Sequence, residues 1–340
     1  MKLKTTLKNL IPASAWMQLQ RAKAKHKLAG YSRTQDTRFL KFSANPWNKP
    51  NQEELRGQII YYIHRIEKGL THQSDFRPGF GRNALQSLHN LLNQWRKAHY
   101  PSTDTTYKAA LSVVMAYIER HEQEHEPLPA FLKALFPMEE LKRTQIGCTL
   151  AGVKTVTAKE KESNKDKTFK ELFEGRTSIR QFAKEPVDLN TVAQAIELAM
   201  KTPSVCNRQS YRVTLVSNPD LIARILTVQG GWRGYAYPPM LAIITSDERS
   251  FIYMEEHNEP FVDGGIFTMS FLLSLEYENL AACPLNLMCS DSSAAMIRKL
   301  ASIPDYEVLI ACVAIGHFQD RTLAPKSFRY PGSSITRVIR

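Results

Sequence analysis

Glu307-Val308-Leu309-Ile310-Ala311-Cys312-Val313-Ala314-Ile315-Gly316 sets eight consecutive apolar residues between a glutamate and a glycine. A run this short, rich in β-branched residues and closed by glycine, reads as a strand. Working outward, a second apolar strand is expected at Met240–Thr245 and an alternating one at Tyr211–Val216, stopped by Asn218-Pro219. Around them the spacing is helical: Leu189–Met200, Leu221–Thr227, a long apolar helix over Gly265–Leu280, and an amphipathic one over Ser292–Leu300. Strands and helices that alternate over roughly 160 residues after Phe169 predict a sheet covered by helices.

The pattern before Phe169 is different. Ile59-Ile60-Tyr61-Tyr62-Ile63-His64-Arg65-Ile66 repeats apolar positions at helical spacing, and Gly69 is expected to stop that helix. Leu85, Leu88, Leu91, Leu92 and Trp95 share one face of a second helix ended by Pro101. A third runs from Thr105 to His125, before Pro127, and a short fourth contains Phe131–Leu135. The run Lys159–Lys167 carries no apolar side chain and is expected as a linker or an exposed helix start. The chain therefore divides into a basic arm (1–45), a helical domain (46–150), a charged linker (151–168) and a sheet domain (169–340).

Composition narrows the function. The chain has 340 residues, of which 43% are hydrophobic, which suits a folded protein. No apolar run reaches the length of a spanning helix, and the stretch around Gly264–Leu275, broken by Thr268 and Ser270, reads as a buried core helix. Of the formal charge of +12, residues 1–40 carry +8, nine basic residues against Asp36 alone. Such an arm is either a solvated basic helix or a contact for an anionic partner, an acidic membrane surface or another protein. No secretory signal is read, because Pro12 follows Leu10-Ile11 before any apolar run develops. The five cysteines, Cys148, Cys206, Cys283, Cys289 and Cys312, are odd in number and irregularly spaced, which fits reduced thiols in a cytoplasmic protein, at most peripheral to the inner face of the membrane. With the charge confined to one arm and no helix-turn-helix or stacking-sheet signature, nucleic acid is not an expected partner.

Four constellations carry candidate chemistry. Arg176-Thr177-Ser178-Ile179-Arg180-Gln181-Phe182 places two permanently charged guanidinium groups and a hydroxyl where they can converge on one anion. Thr202-Pro203-Ser204-Val205-Cys206-Asn207-Arg208-Gln209-Ser210 gathers polar groups in a loop between helix and strand. Leu280–Leu287, a small-residue and proline loop after the long helix, lets backbone approach a flat ligand. Gly316-His317 and Pro325-Lys326-Ser327-Phe328-Arg329 end the series with two cations suited to phosphate.

In this order the four constellations, spanning roughly residues 170–331, resemble the FMN-dependent nitroreductase family. The resemblance implies an α+β fold: a mainly antiparallel sheet wrapped by helices, with exchanged termini, here preceded by the α-helical domain. It implies an oxidoreductase that binds FMN, takes hydride from NADH or NADPH, reduces a small molecule in ping-pong order, and forms a homodimer with FMN at the interface. Arg176, Thr177, Ser178 and Arg180 then hold the phosphate, ribityl chain and ring edge; Pro203, Ser204, Asn207 and Gln209 lie in the loop that reaches the cofactor from the partner subunit; Pro284, Leu285 and Asn286 line the flavin near N5; Lys326 and Arg329 bind phosphate. The chain departs from the family where Ala281 and Ala282 replace glycines and Asn286 replaces a glutamate, so nitroaromatic reduction is not assumed. A flavin oxidase or dehydrogenase, and a non-catalytic membrane-edge assembly protein that keeps the fold as scaffold, stand as alternatives.

The front half adds a second resemblance. His64-Arg65-Ile66-Glu67-Lys68-Gly69-Leu70 followed by Arg77-Pro78-Gly79-Phe80-Gly81 is similar to nitroreductase-like proteins associated with bacterial polysaccharide biosynthesis. His64, Glu67 and Lys68 share a helix face, either turned to a ligand or sealing the two halves together; the second reading is favoured. His121-Glu122-Gln123-Glu124-His125 matches a zinc-protease pattern but lies at a charged helix end before Pro127, so no metal site is expected. The loop Gly230-Gly231-Trp232-Arg233-Gly234-Tyr235 is balanced between covering a flavin and an ordinary surface turn.

Overall fold

The computed structural model describes residues 12–45, 47, 50–73, 76–143 and 149–340; Lys2, Lys4, Lys8 and Cys148 lie outside them. The described part of the basic arm is one helix, α1 (Ala13–Phe42), with no buried residue. It touches the body at its middle, where Lys27 pairs with Glu255 and the Tyr31 ring stacks on His257, 5.5 Å between centroids.

The helical region holds α2 (Gln52–Leu70), α3 (Arg82–Lys97), α4 (Thr105–Gln123), α5 (Ala130–Leu135) and α6 (Met138–Arg143). α2 starts at a capping box in which Asn51 and Glu54 satisfy each other's backbone N–H. Its apolar stripe, Leu55, Ile59, Ile63, Ile66 and Leu70, meets Leu85, Leu88, Leu92 and Trp95 of α3 and Val113, Val114 and Tyr117 of α4 in one core. Gly69 does not act as the expected stop. α2 runs on to Leu70 with a right-handed Thr71 after it, and Gly69 is glycine because the Phe80 ring lies 2.0 Å from where a Cβ would stand.

The rest follows as β1 (Val153–Val156), α7 (Ala158–Lys161), α8 (Phe169–Gly175), α9 (Leu189–Ala199), β2 (Tyr211–Val216), α10 (Pro219–Gln229), β3 (Met240–Asp247), α11 (Glu259–Tyr277), β4 (Ala281–Asn286), α12 (Asp291–Ala301), β5 (Glu307–Gly316) and β6 (Thr322–Pro325). The main sheet is antiparallel throughout, in the order β2-β3-β5-β4, and β1 pairs with β6 in a separate ribbon. Alternate residues of the central strands feed opposite cores. Met240, Ala242, Ile244, Val313 and Ile315 pack under α9 and α11, while Leu241, Ile243, Cys312 and Ala314 pack under α10 and α12. Covering on both faces explains why these strands read as continuous apolar runs rather than alternating ones. The class is α+β, as expected. Among the described residues, no helix is long and apolar enough to cross a membrane.

Two segments differ from the expectation. Leu280–Leu287 is not a loop: Ala281–Asn286 forms the edge strand β4, antiparallel to β5. The Ala282 carbonyl points away from β5, since it accepts from the Ile179 N–H at 3.0 Å. By strand alternation Pro284 faces the same outer edge, so its missing N–H removes no bond to β5. The run 151–168 is not an open linker either. β1 and α7 occupy it, and Lys161, 2% exposed, binds Glu276 Oε1 at 2.6 Å and the Gly175 carbonyl at 2.7 Å. Asn164 adds a bond to the Glu276 carbonyl. Polar bonds rather than apolar packing anchor it, which a reading based on missing apolar residues does not register.

Candidate functional site

The motif Arg176–Phe182 follows α8, whose start is fixed by a Thr168–Glu171 capping box. Arg176 leaves the helix in extended conformation, and Ser178 bridges to Ala282 in parallel, so the motif lies along the outer edge of β4. Extended backbone turns successive side chains to opposite sides. Ile179 enters a small core with Val156, Ala281, Phe318 and Ala324, while Ser178 and Arg180 face a cavity. Phe182 anchors the end of the motif against Gly316, where a Cβ would lie 2.6 Å from the phenylalanine ring. That contact joins the first motif to the fourth.

The cavity has a volume of about 360 Å³. Ser178 and Arg180 form one side, Pro284 of β4 the next, and Ser327, Phe328 and Arg329 of the carboxy-terminal segment a third. The fourth wall is α2, which contributes Ile60, Ile63, His64 and Glu67. These stand at i, i+3, i+4 and i+7, one helical stripe that begins apolar and ends polar. That stripe is the sequence signal by which the α2 wall was findable.

Its electrostatics are unbalanced. Arg180 is 8% exposed, and its Nε and Nη1 are buried with no hydrogen-bond partner among the described residues. Glu67, 1% exposed, is the carboxylate in the cavity wall, and its Oε1 is already committed to the backbone N–H groups of Gly152 at 3.0 Å and Ser327 at 3.2 Å. Burial pushes Glu67 up to about 7, against those two bonds and the charges of Arg180 and Arg329. Solvent reaches the His64 ring, yet crowding by protein atoms, then the charges of Arg180 and Lys68, lowers it to about 4. Lys68 is held below its ordinary value by burial and then by Arg180. A buried, unpaired guanidinium beside a weakened carboxylate leaves excess positive charge and free donors, which an anion would satisfy.

Arg176 is half-buried, Thr177 is buried, and neither lines the cavity. The backbone N–H of Lys326 donates to the Gly152 carbonyl, and its Nζ lies 3.5 Å from the Thr149 carbonyl. Leu285 packs into the core beneath α10 and α12, and Asn286 is exposed, its carbonyl accepting from Gln229. Pro203, Ser204, Asn207 and Gln209 sit on a separate surface loop. There Cys206, Asn207 and Gln209 all adopt left-handed backbone, with φ of 47°, 55° and 49°. Buried Asp263 of α11 accepts from Val205 N–H, Ser204 Oγ accepts from Gln209 N–H, and Arg208 makes a two-pronged pair with Glu256. Arg208 is thereby committed to the loop. Glu256 in turn is held down to about 2, first by Arg208.

Two further expectations resolve into structure. Trp232 and Tyr235 are buried, not a surface lid: the Tyr235 hydroxyl donates to the Lys68 carbonyl at 2.7 Å, its ring stacks on His72, and Lys68 Nζ donates to the Gly231 carbonyl. This loop ties the helical region to the sheet region. In the zinc-like pattern, His121 is buried with both ring nitrogens engaged, Nδ1 toward the Tyr117 carbonyl and Nε2 accepting from Gly79 N–H.

A nitroreductase family protein from Clostridium difficile overlays with a TM-score of 0.42 at 19% identity, covering 50% of this chain and 98% of the other. One from Streptococcus pneumoniae gives 0.43 at 18%, covering 51% and 100%. An FMN-dependent nitroreductase from a second Clostridium difficile strain gives 0.39 at 17%, covering 48% and 92%. The family model described as the nitroreductase family matches residues 173–232, the stretch that holds the arginine motif, the loop of left-handed residues and strand β2. Over that stretch the chain is similar to the nitroreductase family.

Proposed function

We propose that this protein is an FMN-dependent oxidoreductase that takes electrons from NADH or NADPH and passes them to a small organic substrate in ping-pong order. The observation that carries the reading is Arg180: a guanidinium with two buried, unpartnered donor nitrogens, facing a cavity with Ser178 and Arg329 in a chain whose residues 173–232 match the nitroreductase family model. The cavity volume lies within the range of small-molecule sites, and its donors and charge fit a phosphate monoester. When bound, FMN supplies the hydride chemistry. Arg180, Ser178 and Arg329 bind and orient its phosphate end, with Arg176 and Lys326 adding positive charge nearby. Pro284 and the rest of β4 offer a rigid backbone edge beside it.

The reading includes a homodimer. Phe261, Val262 and Ile266 are exposed on α11, the helix whose Asp263 holds the 203–209 loop, and an apolar surface there suits a second copy. Pro203, Ser204 and Asn207 would then reach the partner's cofactor. The polysaccharide link enters as a source of candidate second substrates. Adding FMN to purified protein tests the reading: stoichiometric uptake with quenched flavin fluorescence is expected, and weakening on Arg180→Gln. Unchanged binding in that variant would remove the basis of the assignment.

A further inference from the structure

The helical region supplies one wall of the anion cavity, and that wall presents a histidine. We propose that His64, carried on α2, is a ligand of the phosphate held by Arg180 and Ser178, and that it takes up a proton from solvent as the phosphate binds. This rests on the reading that the cavity receives the phosphate end of FMN.

The geometry is specific. His64 lines the same cavity as Ser178, Arg180 and Arg329, one turn from Glu67 on the same face of α2. Its ring has no hydrogen bond among the described residues, whereas His121 on α4 has both nitrogens engaged. The groups that bear on it come from three elements: Glu67 and Lys68 from α2 itself, Arg180 from the motif on the edge of β4, and Arg329 from the carboxy-terminal segment. With the cavity free of anion, crowding by protein atoms first, and then the charges of Arg180 and Lys68, keep the imidazole neutral at physiological pH. A phosphate dianion placed among them reverses that balance. It screens both cations and offers an acceptor, so the imidazolium becomes the favoured form and donates a charge-assisted hydrogen bond. By linkage, that proton makes the His64 share of the affinity rise as pH falls, while the second ionisation of the phosphate, at about 6, opposes it equally in every protein compared below. Glu67 titrates in the same range, but it is present in every protein compared below and cancels from the comparison.

The experiment is calorimetric titration of wild type, His64→Gln and His64→Lys with FMN and with riboflavin, which lacks the phosphate. Each is run in phosphate-free buffers of different ionisation enthalpy between pH about 5.5 and about 8, the range where histidine titrates. Wild type should take up more protons per FMN than either variant. His64→Gln should weaken FMN binding at the acid end by roughly tenfold or more, the worth of one hydrogen bond to a charged group, and leave riboflavin binding unchanged. His64→Lys, permanently charged, should keep FMN affinity and lose the excess proton uptake. Equal proton uptake and equal FMN affinity in wild type and His64→Gln would overturn the proposal while leaving FMN binding intact. An equal loss toward riboflavin would overturn it too, because His64 would then contact the ring system. No FMN binding by wild type at all would overturn the underlying reading, and this proposal with it.

Discussion

Arg180 is costly where it stands. An arginine 8% exposed, with two buried donor nitrogens unpartnered, destabilises the ligand-free fold. Replacing it by methionine should therefore raise the melting temperature of ligand-free protein and abolish its further rise on adding FMN. Thermal melts with and without FMN check both parts. Glu67 behaves oppositely to a salt-bridged acid. Its folded value is raised, so its contribution is full below the ordinary carboxyl range and is lost as pH rises through about 7. Glu67→Gln keeps an oxygen for the Gly152 and Ser327 N–H groups, and should flatten the fall in stability between pH about 4.5 and about 7. Glu67→Ala orphans both N–H groups and should cost about 2–5 kcal/mol in denaturant unfolding. At this scale, what the sequence made legible was chemistry type rather than contact. Arg176–Arg180 alone reads as a surface basic cluster, and it stood out as an anion motif only through its order with the other three constellations. His64 did not, because on a helix a polar residue beside Glu67 and Lys68 looks the same whether it faces a cavity or a neighbouring domain.

The elements show why some readings failed. β4 looked like a loop because Pro284 and the small residues around it argue against a strand. The proline is tolerated because it faces the outer edge, and the arginine motif, not another long strand, covers that edge. The charged segment 158–167 looked unanchored because its anchors, Lys161 and Asn164, reach Glu276 more than a hundred residues away. Removing one member of such a buried pair leaves the other charge uncompensated. Lys161→Met should cost about 3–5 kcal/mol and open the segment to proteolysis near residues 158–166, which limited digestion would detect. The strands, in contrast, were legible from apolar runs, and their order was not, because pairing joins residues far apart in sequence. Gly316 sits at such a junction. Gly316→Ala would drive a methyl group into Phe182 and should cost about 1–3 kcal/mol. It should also weaken FMN binding, since Phe182 anchors the arginine motif.

At the scale of the molecule, two halves that read as separate domains share one cavity. α2 closes it, Tyr235 and Lys68 lock the halves together, and Glu67 ties α2 to both Gly152 and Ser327. The proposed homodimer uses a different surface. Ile266→Asp on the exposed face of α11 should shift the protein to monomer in sedimentation analysis and reduce FMN retention together. A monomer that retains FMN fully would separate the cavity from the interface. The most direct test of the central claim is anaerobic titration of the FMN-loaded protein with NADH and NADPH, followed by its visible absorption spectrum. Bound oxidised flavin that bleaches with one of the two nucleotides and recovers on adding an electron acceptor is the predicted result. Protein that stays colourless after incubation with FMN, or flavin that neither nucleotide bleaches, would contradict it.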